Sequence, residues 1–577
     1  MPRHSKESSV LKQLSGALSL PAASAAPPES VHETSDSVDL LLMAANISPP
    51  GREALAPGPA APGCPVRQPE QPLAAVPISA SCCITCLKPQ EPAEHVCSSC
   101  GETLCAFCDS SAHLQSGECL ALQHGHSDPH LRLSLRLLFA CILSPTAGPL
   151  LHWFDSSPSA CDDQDLHSSD ELDSHAQIIT ALTHADPHIA LLALRVVSAN
   201  AFDVTVHDYN GLLSHIAVAV YVHASLANHS CCPNASFRFD SECNITFIAC
   251  MSISQDDVVR ICYIDPLQPR SARHAALWRM HGFVCDCTRC SSKQAWPEWT
   301  LAAAGRCPSC TECWMCEGVC SQCSVPVTTN HGYILLQHLR DALDSAYHAF
   351  VHEFDPLNAL SHMRPIVRDV ANRLCQHDEL DVVHPMHIEM QQAYTCLAAA
   401  CAAACERDAA SEGSTNLRWE ALSYYILTAY TCDVFAQHVS IVAVSAARHW
   451  LDVAVQARRI VDRSVRQSDP AKESEFPLSG HDGSDAPKQA LKKTTELQGM
   501  QFLRRLARNA GFCLESVNSH APNSTLELLH HVIRQCAAHA CEHAETVGEV
   551  ELEQDARELL EHSETSWQRI KRDHKAQ

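Results

Sequence analysis

Hydrophobic and polar positions follow three different patterns along the chain. Leucine and arginine recur at helical spacing over 128–143, and Ala/Leu/His/Arg segments with the same spacing run from about residue 330 onward. Between 190 and 265, β-branched runs such as FDVTV, NITFIAC and VVRICYI alternate with turn residues, which predicts strands. The acidic, serine-rich stretch 155–175 is predicted to be a loop. These patterns predict an α+β chain that ends in an array of helices.

Two stretches of biased composition interrupt these patterns. Residues 1–46 are rich in Ser, Ala and Pro, which predicts a disordered tail, and a Pro/Gly/Ser/charged run at about 467–493 predicts a disordered loop within the helical array. No apolar run reaches the roughly 18 residues that a membrane-spanning helix needs, and the N-terminus lacks the apolar core of a signal peptide. We therefore expect a cytoplasmic or nuclear protein that makes no membrane contact.

The net charge and the cysteine content limit the classes of function that the chain can have. The 577 residues include 41 Lys and Arg against 66 Asp and Glu, a net charge of −25. Nucleic-acid binding requires clustered basic residues, so this balance argues against a nucleic-acid partner and suits a basic protein or peptide. The 33 cysteines are odd in number and clustered in their spacing, which indicates reduced thiols and metal sites rather than a disulfide framework.

The first cysteine block has the spacing of zinc ligands. Pairs with two-residue gaps let both thiolates reach one metal, and four pairs supply eight ligands for two tetrahedral zinc ions with no open position. Such sites are structural. If the pairs interleave, the first and third bind one zinc and the second and fourth the other. The alternative is a set of incidental core cysteines. The eight candidates are Cys83, Cys86, Cys97, Cys100, Cys105, Cys108, His113 and Cys119.

Three later motifs occur in a fixed order, after an Asn-Ala-Phe at 200–202. They read NHSCCPN from Asn228, VRICYID from Val259 and GFVCDCTRC from Gly282. Taken singly, an Asn-His pair can cap a turn and Tyr263 can be a core strand residue. Taken together, they resemble the C-terminal half of a SET domain with its post-SET zinc segment, and the first cysteine block resembles a MYND zinc finger. This order is similar to that of the SMYD-type protein lysine methyltransferases.

The resemblance implies a domain layout. It comprises the tail, a β-rich SET domain split by the MYND-like finger, a post-SET zinc segment and a TPR-like helical C-terminal domain. The implied boundaries are 1–46 for the tail, 47–81 for the first part of the SET domain, 82–119 for the finger, 120–270 for the rest of the SET domain, 271–325 for the post-SET segment and 330–577 for the helical domain.

The resemblance also implies a ligand and roles for individual residues. S-adenosylmethionine would be bound by Gly51, Arg52, Asn200, Asn228, His229, Tyr263 and Phe283. The hydroxyl of Tyr263 would be the catalytic group, orienting the methyl group and the lysine amine. A third zinc would be bound by Cys231, Cys285, Cys287 and Cys290. The substrate would be a protein or peptide that presents lysine.

Two features keep other interpretations open. The Gly-x-Gly turn that opens SET domains retains only Gly51, because Glu53 replaces the second glycine. The chain can therefore also be an impaired SET scaffold whose finger binds a proline-containing peptide, or a zinc-rich redox or metal-buffering protein. Six cysteines from Cys307 to Cys323 form a third cluster: the outer pairs suit a fourth zinc, the inner pair can take part instead, and the spacing also allows an iron–sulfur cluster.

Overall fold

The chain forms two compact units, each with its own hydrophobic core. A computed structural model describes residues 53–78, 82–88, 95–108, 113–143, 166–207, 213–292, 298–310, 313–316, 319–320, 323, 332–374, 379–407, 413–468, 525–547 and 552–563. One unit comprises residues up to Ile264 together with Ser271–Cys290, and the other comprises Asp265–Arg270 and everything from Ser291. The predicted tail 1–46, Gly51, Arg52 and positions 469–493 of the predicted loop lie outside the described residues.

The first unit is mixed helix and sheet. Its strands are β1 (Ala74–Pro77), β2 (His95–Val96), β3 (Thr103–Leu104), β4 (Ala201–His207), β5 (Leu213–Val220), β6 (Asn228–His229), β7 (Ala235–Phe239), β8 (Ile245–Ala249) and β9 (Arg260–Ile261). Its helices are α1 (Glu118–Gln123), α2 (Pro129–Leu143), α3 (Leu166–Thr183), α4 (Pro187–Asn200), α5 (Arg270–His281) and α6 (Thr288–Ser291). A 3-10 turn, Ala224–Leu226, precedes β6.

Strand β5 is the centre of the first unit. It pairs antiparallel with β1 on one edge and with β4 on the other. Because side chains alternate across a strand, Ala217 and Ala219 enter one core while Val218 and Val220 enter the other. The first core holds the β7–β8 hairpin and the second holds helices α2, α3 and α4. This burial on both faces explains why β5 reads as an almost continuous apolar run.

The second unit is mainly helical. It begins with a small antiparallel sheet of β10 (Ala303–Arg306), β11 (Trp314–Cys316) and β12 (Val319–Cys320). Its helices are α7 (Tyr333–Tyr347), α8 (Pro356–Leu374), α9 (Ile388–Arg407), α10 (Gly413–Ala436), α11 (Val442–Ser468), α12 (Thr525–Val547) and α13 (552–563). Helices that follow one another in the chain pack against each other, and their apolar faces form two large clusters. The predicted helical array from about residue 330 is confirmed.

Two sequence predictions need correction. The segment 166–175, predicted as a loop, is the first half of α3: Glu171, Asp173 and Ser174 are exposed, while Leu172 and Ala176 pack into the second core. The strand-rich region begins at Ala201 rather than near 190, because α4 occupies the preceding residues and is capped by the Asp186 carboxylate. The predicted helix over 128–143 is confirmed as α2.

None of the helices within the described part of the chain is both long and apolar enough to cross a bilayer.

The two units divide the predicted post-SET segment 271–325. Residues up to Cys290 belong to the first unit, and Cys307 and the cysteines after it belong to the second.

Candidate functional site

A short parallel strand pair brings the separate SET-like motifs together. Strand β6 places Asn228 beside Arg260 and His229 beside Ile261. The Asn234 side chain locks this pairing, because its Oδ1 accepts the Arg260 N–H at 2.8 Å and its Nδ2 donates to the Val258 carbonyl at 2.9 Å. Two of the predicted cofactor residues, Asn228 and His229, thus lie on a backbone segment next to that of Tyr263, although they are distant from it in sequence.

The His229 imidazole connects the tyrosine segment to the cysteines. Its Nδ1 accepts the backbone N–H of Tyr263 at 3.0 Å, and its Nε2 lies 3.2 Å from the Cys231 Sγ. Burial lowers the pKa of His229 to about 4, so the ring is neutral at physiological pH. A neutral imidazole that accepts at Nδ1 carries its proton on Nε2, which therefore donates to the Cys231 sulfur.

Tyr263 is held in place through its hydroxyl and its ring. The hydroxyl donates to the Ala227 carbonyl at 2.8 Å, in the segment immediately before Asn228. The ring centroid lies 5.3 Å from that of His229 and 4.9 Å from that of His281. Phe283 completes this aromatic group, with its ring centroid 6.0 Å from His229 and 6.3 Å from His281. The Tyr263 ring is therefore packed among the buried His229 ring and the half-buried rings of His281 and Phe283.

Beside these rings lies a group of four thiols that matches the predicted third zinc site. The sulfur atoms of Cys231, Cys285, Cys287 and Cys290 all lie within 4.8 Å of one another. The Arg273 side chain is fully buried and donates to the Cys290 Sγ at 3.6 Å, while Arg289 donates to the Cys231 carbonyl at 3.2 Å. Four thiolates around Zn²⁺ leave a net charge of −2, of which one buried guanidinium offsets half.

The finger cysteines group in the interleaved manner. One group is Cys83, Cys86, Cys105 and Cys108, and the other is Cys97, Cys100, His113 and Cys119. Zinc–sulfur bonds of about 2.3 Å require tetrahedral sulfur–sulfur edges of about 3.8 Å. The Cys86–Cys105 and Cys97–Cys119 sulfur distances are 3.8 Å and 3.7 Å. Since none of the described cysteines forms a disulfide, the donor sets suit zinc.

The remaining predicted residues lie apart from this aromatic group or carry a different interaction. Asn200 is buried at the end of α4, and its amide donates to the Val196 carbonyl at 2.8 Å. Glu53, the residue in place of the second glycine, is ion-paired with Arg260 at 3.3 Å. The segment that follows it pairs with 253–259, through the bridges Leu55–Val258 and Ala60–Ile253. Glu53 therefore lies beside Arg260 of the β6–β9 pair, which offsets the charge of its carboxylate.

Sequence reasoning missed three residues of this region. His281 and Arg273 are two of several basic residues on α5 and have no motif spacing that would single them out. The third, Glu118, is completely buried, where its carboxylate accepts from Arg132 and Arg136 beside the finger. A charged residue in an apolar helix can signal such a buried pair, as Arg132 and Arg136 do within the leucine-rich α2, but the partner cannot be chosen from sequence.

Comparison with known proteins finds lysine methyltransferases. The chain is 33% identical to N-lysine methyltransferase SMYD2-A of Xenopus laevis over 146 residues, which cover 25% of this chain and 33% of that protein. It is 29% identical over 170 residues to N-lysine methyltransferase SMYD2 of Mus musculus, covering 28% of this chain and 38% of that protein. It is 27% identical over 149 residues to Histone-lysine N-methyltransferase SMYD3 of Homo sapiens, covering 24% of this chain and 33% of that protein.

These matches are local. The chain spans 33% to 38% of the length of these three relatives. No model of a known protein family matches the chain. The matches nevertheless name the same class of protein that the order of the motifs indicates, and the structure adds Cys/His groups with the donor sets of zinc sites. The chain is therefore a relative of the SMYD-type protein lysine methyltransferases.

Proposed function

We propose that this protein transfers a methyl group from S-adenosylmethionine to lysine side chains of proteins. The observation that carries the proposal is the convergence of Asn228, His229, Tyr263 and Phe283 around the β6–β9 pair. When bound, S-adenosylmethionine supplies an electrophilic methyl group on a sulfonium centre. The chemistry requires a positioned hydroxyl, neutral polar groups and partial exclusion of water, and the described residues offer all three.

The residues present fit this cofactor. Asn228 offers a half-buried amide on an edge that adjoins the 53–60 segment. The cofactor brings one carboxylate, one ammonium and one sulfonium, so an isolated carboxylate or imidazolium nearby would bias binding. Of the two nearest candidates, Glu53 is paired with Arg260 and His229 is neutral. The ion pair supports the proposal, because the carboxylate of Glu53 then carries a cationic partner of its own.

In the proposed reaction Tyr263 acts by position. Its hydroxyl proton is committed to the Ala227 carbonyl, so its oxygen lone pairs face away from that bond and can accept from a methyl or an amine. The lysine amine must be neutral to react, and partial desolvation among the rings of Tyr263, His281 and Phe283 lowers the pKa of an amine. No strong base is needed in this scheme, and His229 stays neutral throughout.

Three zinc ions complete the proposal for the first unit. Two would fold the finger and one would fix Cys231, and through it His229, against the post-SET cysteines. These sites have four protein donors each and leave no coordination position for a substrate, so we assign them structural roles.

The test is transfer by a tyrosine variant. Tyr263→Phe should lower the transfer of tritiated methyl groups onto a lysine-containing protein mixture by about a hundredfold or more, because a positioning and electrostatic contact is lost. Cofactor affinity should stay within a few-fold of the original. The control is Tyr347→Phe, an exposed tyrosine of α7, which should transfer normally. Unchanged turnover in Tyr263→Phe would remove the role assigned to this hydroxyl.

A second role, protein binding by the finger, is favoured by one observation. Phe107 lies between the ligand cysteines Cys105 and Cys108 and is 98% exposed. Exposed aromatic side chains are enriched at sites of protein contact. Phe107→Ser should weaken capture of proline-containing peptides on an array and leave the zinc content unchanged. Equal capture by both proteins would argue against this surface.

A further inference from the structure

A fourth group of cysteines lies in the second unit, outside the proposed methyl-transfer site. The sulfur atoms of Cys307, Cys310, Cys320 and Cys323 all lie within 4.8 Å of one another. The Cys307–Cys323 distance is 3.7 Å and the Cys310–Cys320 distance is 3.5 Å. These values are close to the tetrahedral edge of about 3.8 Å for thiolates on zinc. They also match the 3.5 Å between Cys231 and Cys290 in the first unit.

The grouping selects the outer pairs of the six-cysteine run. The inner Cys313 lies on the turn of the first knuckle, where its carbonyl accepts the Cys307 N–H at 2.8 Å. The inner Cys316 lies within β11, where it pairs with Ala303 and Val319. Neither belongs to the described group of four. Two knuckles that each supply two thiolates form a closed tetrahedral set, which is the donor set of a structural zinc.

The strand next to these cysteines is also the base of the helical array. Strand β10 pairs with β11 on one edge and with residues 380–384 on the other, through Gly305 N to Val382 O at 2.6 Å and His384 N to Ala303 O at 3.0 Å. The His384 ring packs against Trp299 and Trp314, with centroid distances of 5.6 Å and 4.8 Å. The cysteine knuckles and the segment that leads into α9 are therefore tied to one strand.

Helix α7 begins on the same strand. Gly332, the residue before α7, has φ 83° and packs so closely that an added Cβ would lie 2.5 Å from the Gly305 nitrogen. Its N–H donates to the Asp381 carboxylate at 2.7 Å, and that carboxylate also accepts from Arg373 of α8 at 3.1 Å. The starts of α7 and α9 and the end of α8 thus meet at β10, next to the cysteines.

We propose that Cys307, Cys310, Cys320 and Cys323 bind a fourth zinc ion, which anchors β10 and thereby the first three helices of the array. Among the described residues of this small zinc module, the buried cluster at the knuckles consists of Cys307, Met315 and Cys320, which is little apolar material to hold the strands without the metal. The site serves the second unit and takes no part in methyl transfer, so it stands independently of the proposed function.

The test is zinc content in variants of the exposed ligand. The full chain, purified with zinc, should contain four zinc ions by elemental analysis. Cys323→Ser should contain three, and Cys323→His should again contain four, because imidazole is also a zinc ligand. The control Cys313→Ser should contain four. Since Cys323 is exposed, its substitution removes no buried side chain, and any loosening of the unit follows from the lost zinc.

A second readout follows the helices. Amide exchange in 332–374 should accelerate at least tenfold in Cys323→Ser and return to the original rate in Cys323→His, while exchange in β5 stays constant. Three zinc ions in the original protein would overturn the proposal, as would iron with visible absorption in the place of the fourth zinc. Loss of zinc from Cys313→Ser as large as that from Cys323→Ser would overturn the choice of ligands.

Discussion

The buried carboxylate of Glu118 allows the sharpest stability prediction. It is the first residue of α1, directly before the candidate ligand Cys119, and its side chain is 0% exposed. One oxygen accepts from the Arg132 Nε at 2.8 Å and the other from the Arg136 Nε at 2.7 Å. Arg136 also donates to the carbonyls of Ala75 in β1 and Ile84 in the finger. This network joins the finger to the central sheet.

The substitution Glu118→Gln removes the charge and preserves the shape. The nearly buried guanidinium groups of Arg132 and Arg136 then lose their common carboxylate. The NH₂ group of the new amide also faces the N–H donors of these arginines. Removing one partner of a buried ion pair costs about 3–5 kcal/mol, because the remaining charge is buried without compensation. At about 1.4 kcal/mol per tenfold change, this corresponds to a roughly 100- to 5000-fold faster exchange of amides that open together with α2.

Hydrogen exchange followed by mass spectrometry measures the exchange rates of these amides in the full chain. The peptide covering Pro129–Leu143 should show the acceleration, and peptides of the helical unit should not. The matched control is Glu242→Gln, which breaks a surface ion pair with Lys88 whose side chains are both more than half exposed. Such a pair contributes about 1 kcal/mol or less, so its exchange should change less than about fivefold. An equally small change in Glu118→Gln would refute the network's energetic role.

Two further predictions concern the post-SET cysteines and the helical unit. Arg273→Met removes the buried charge beside Cys290. A chelator should then extract zinc from this site about ten- to a hundredfold faster, because groups that hydrogen-bond to metal ligands strengthen metal binding. The control is Arg279→Met, an exposed position on the same helix, which should release zinc at the original rate. His387 is 5% exposed, and burial, together with Arg340 and His384, lowers its pKa to about 3. The unfolded chain, with a histidine pKa of about 6.5, binds more protons than the folded one below pH 7, so the helical unit should lose about 2 kcal/mol between pH 7 and pH 5 through this residue. His387→Gln should remove that part of the pH dependence of exchange in α9, and an unaltered dependence would contradict the assignment.

How far the sequence predicts this structure depends on how local each feature is. The cysteine groups could be predicted because each knuckle places two ligands within a few residues, and helix α2 could be predicted because its leucines repeat at helical spacing. The loop prediction for 166–175 was wrong because polar residues dominate the count there, whereas Leu172, followed by Ala176 and Ile179 in the next turns, suffices to bury one face of the helix.

Long-range polar contacts could not be predicted. Glu53 and Arg260 are separated by 207 positions, and only the pairing of 53–60 with 253–259 brings them together. The sequence identified Glu53 as a departure from the glycine turn and left its effect open. The structure gives the carboxylate a cationic partner, which changes the expected electrostatics from an isolated negative charge to a neutral pair. The contacts of His281 with Tyr263 and of Arg273 with Cys290 depend on how α5 packs, which the sequence does not specify.

The methyltransferase proposal is tested most directly by a calorimetric titration of the zinc-loaded protein with S-adenosylmethionine, alongside Asn228→Ala and Tyr263→Phe. We expect one site of micromolar affinity, lost in Asn228→Ala and retained within a few-fold in Tyr263→Phe. No binding to a folded, zinc-loaded protein would contradict the methyltransferase proposal and leave a SET-like scaffold that acts through its finger.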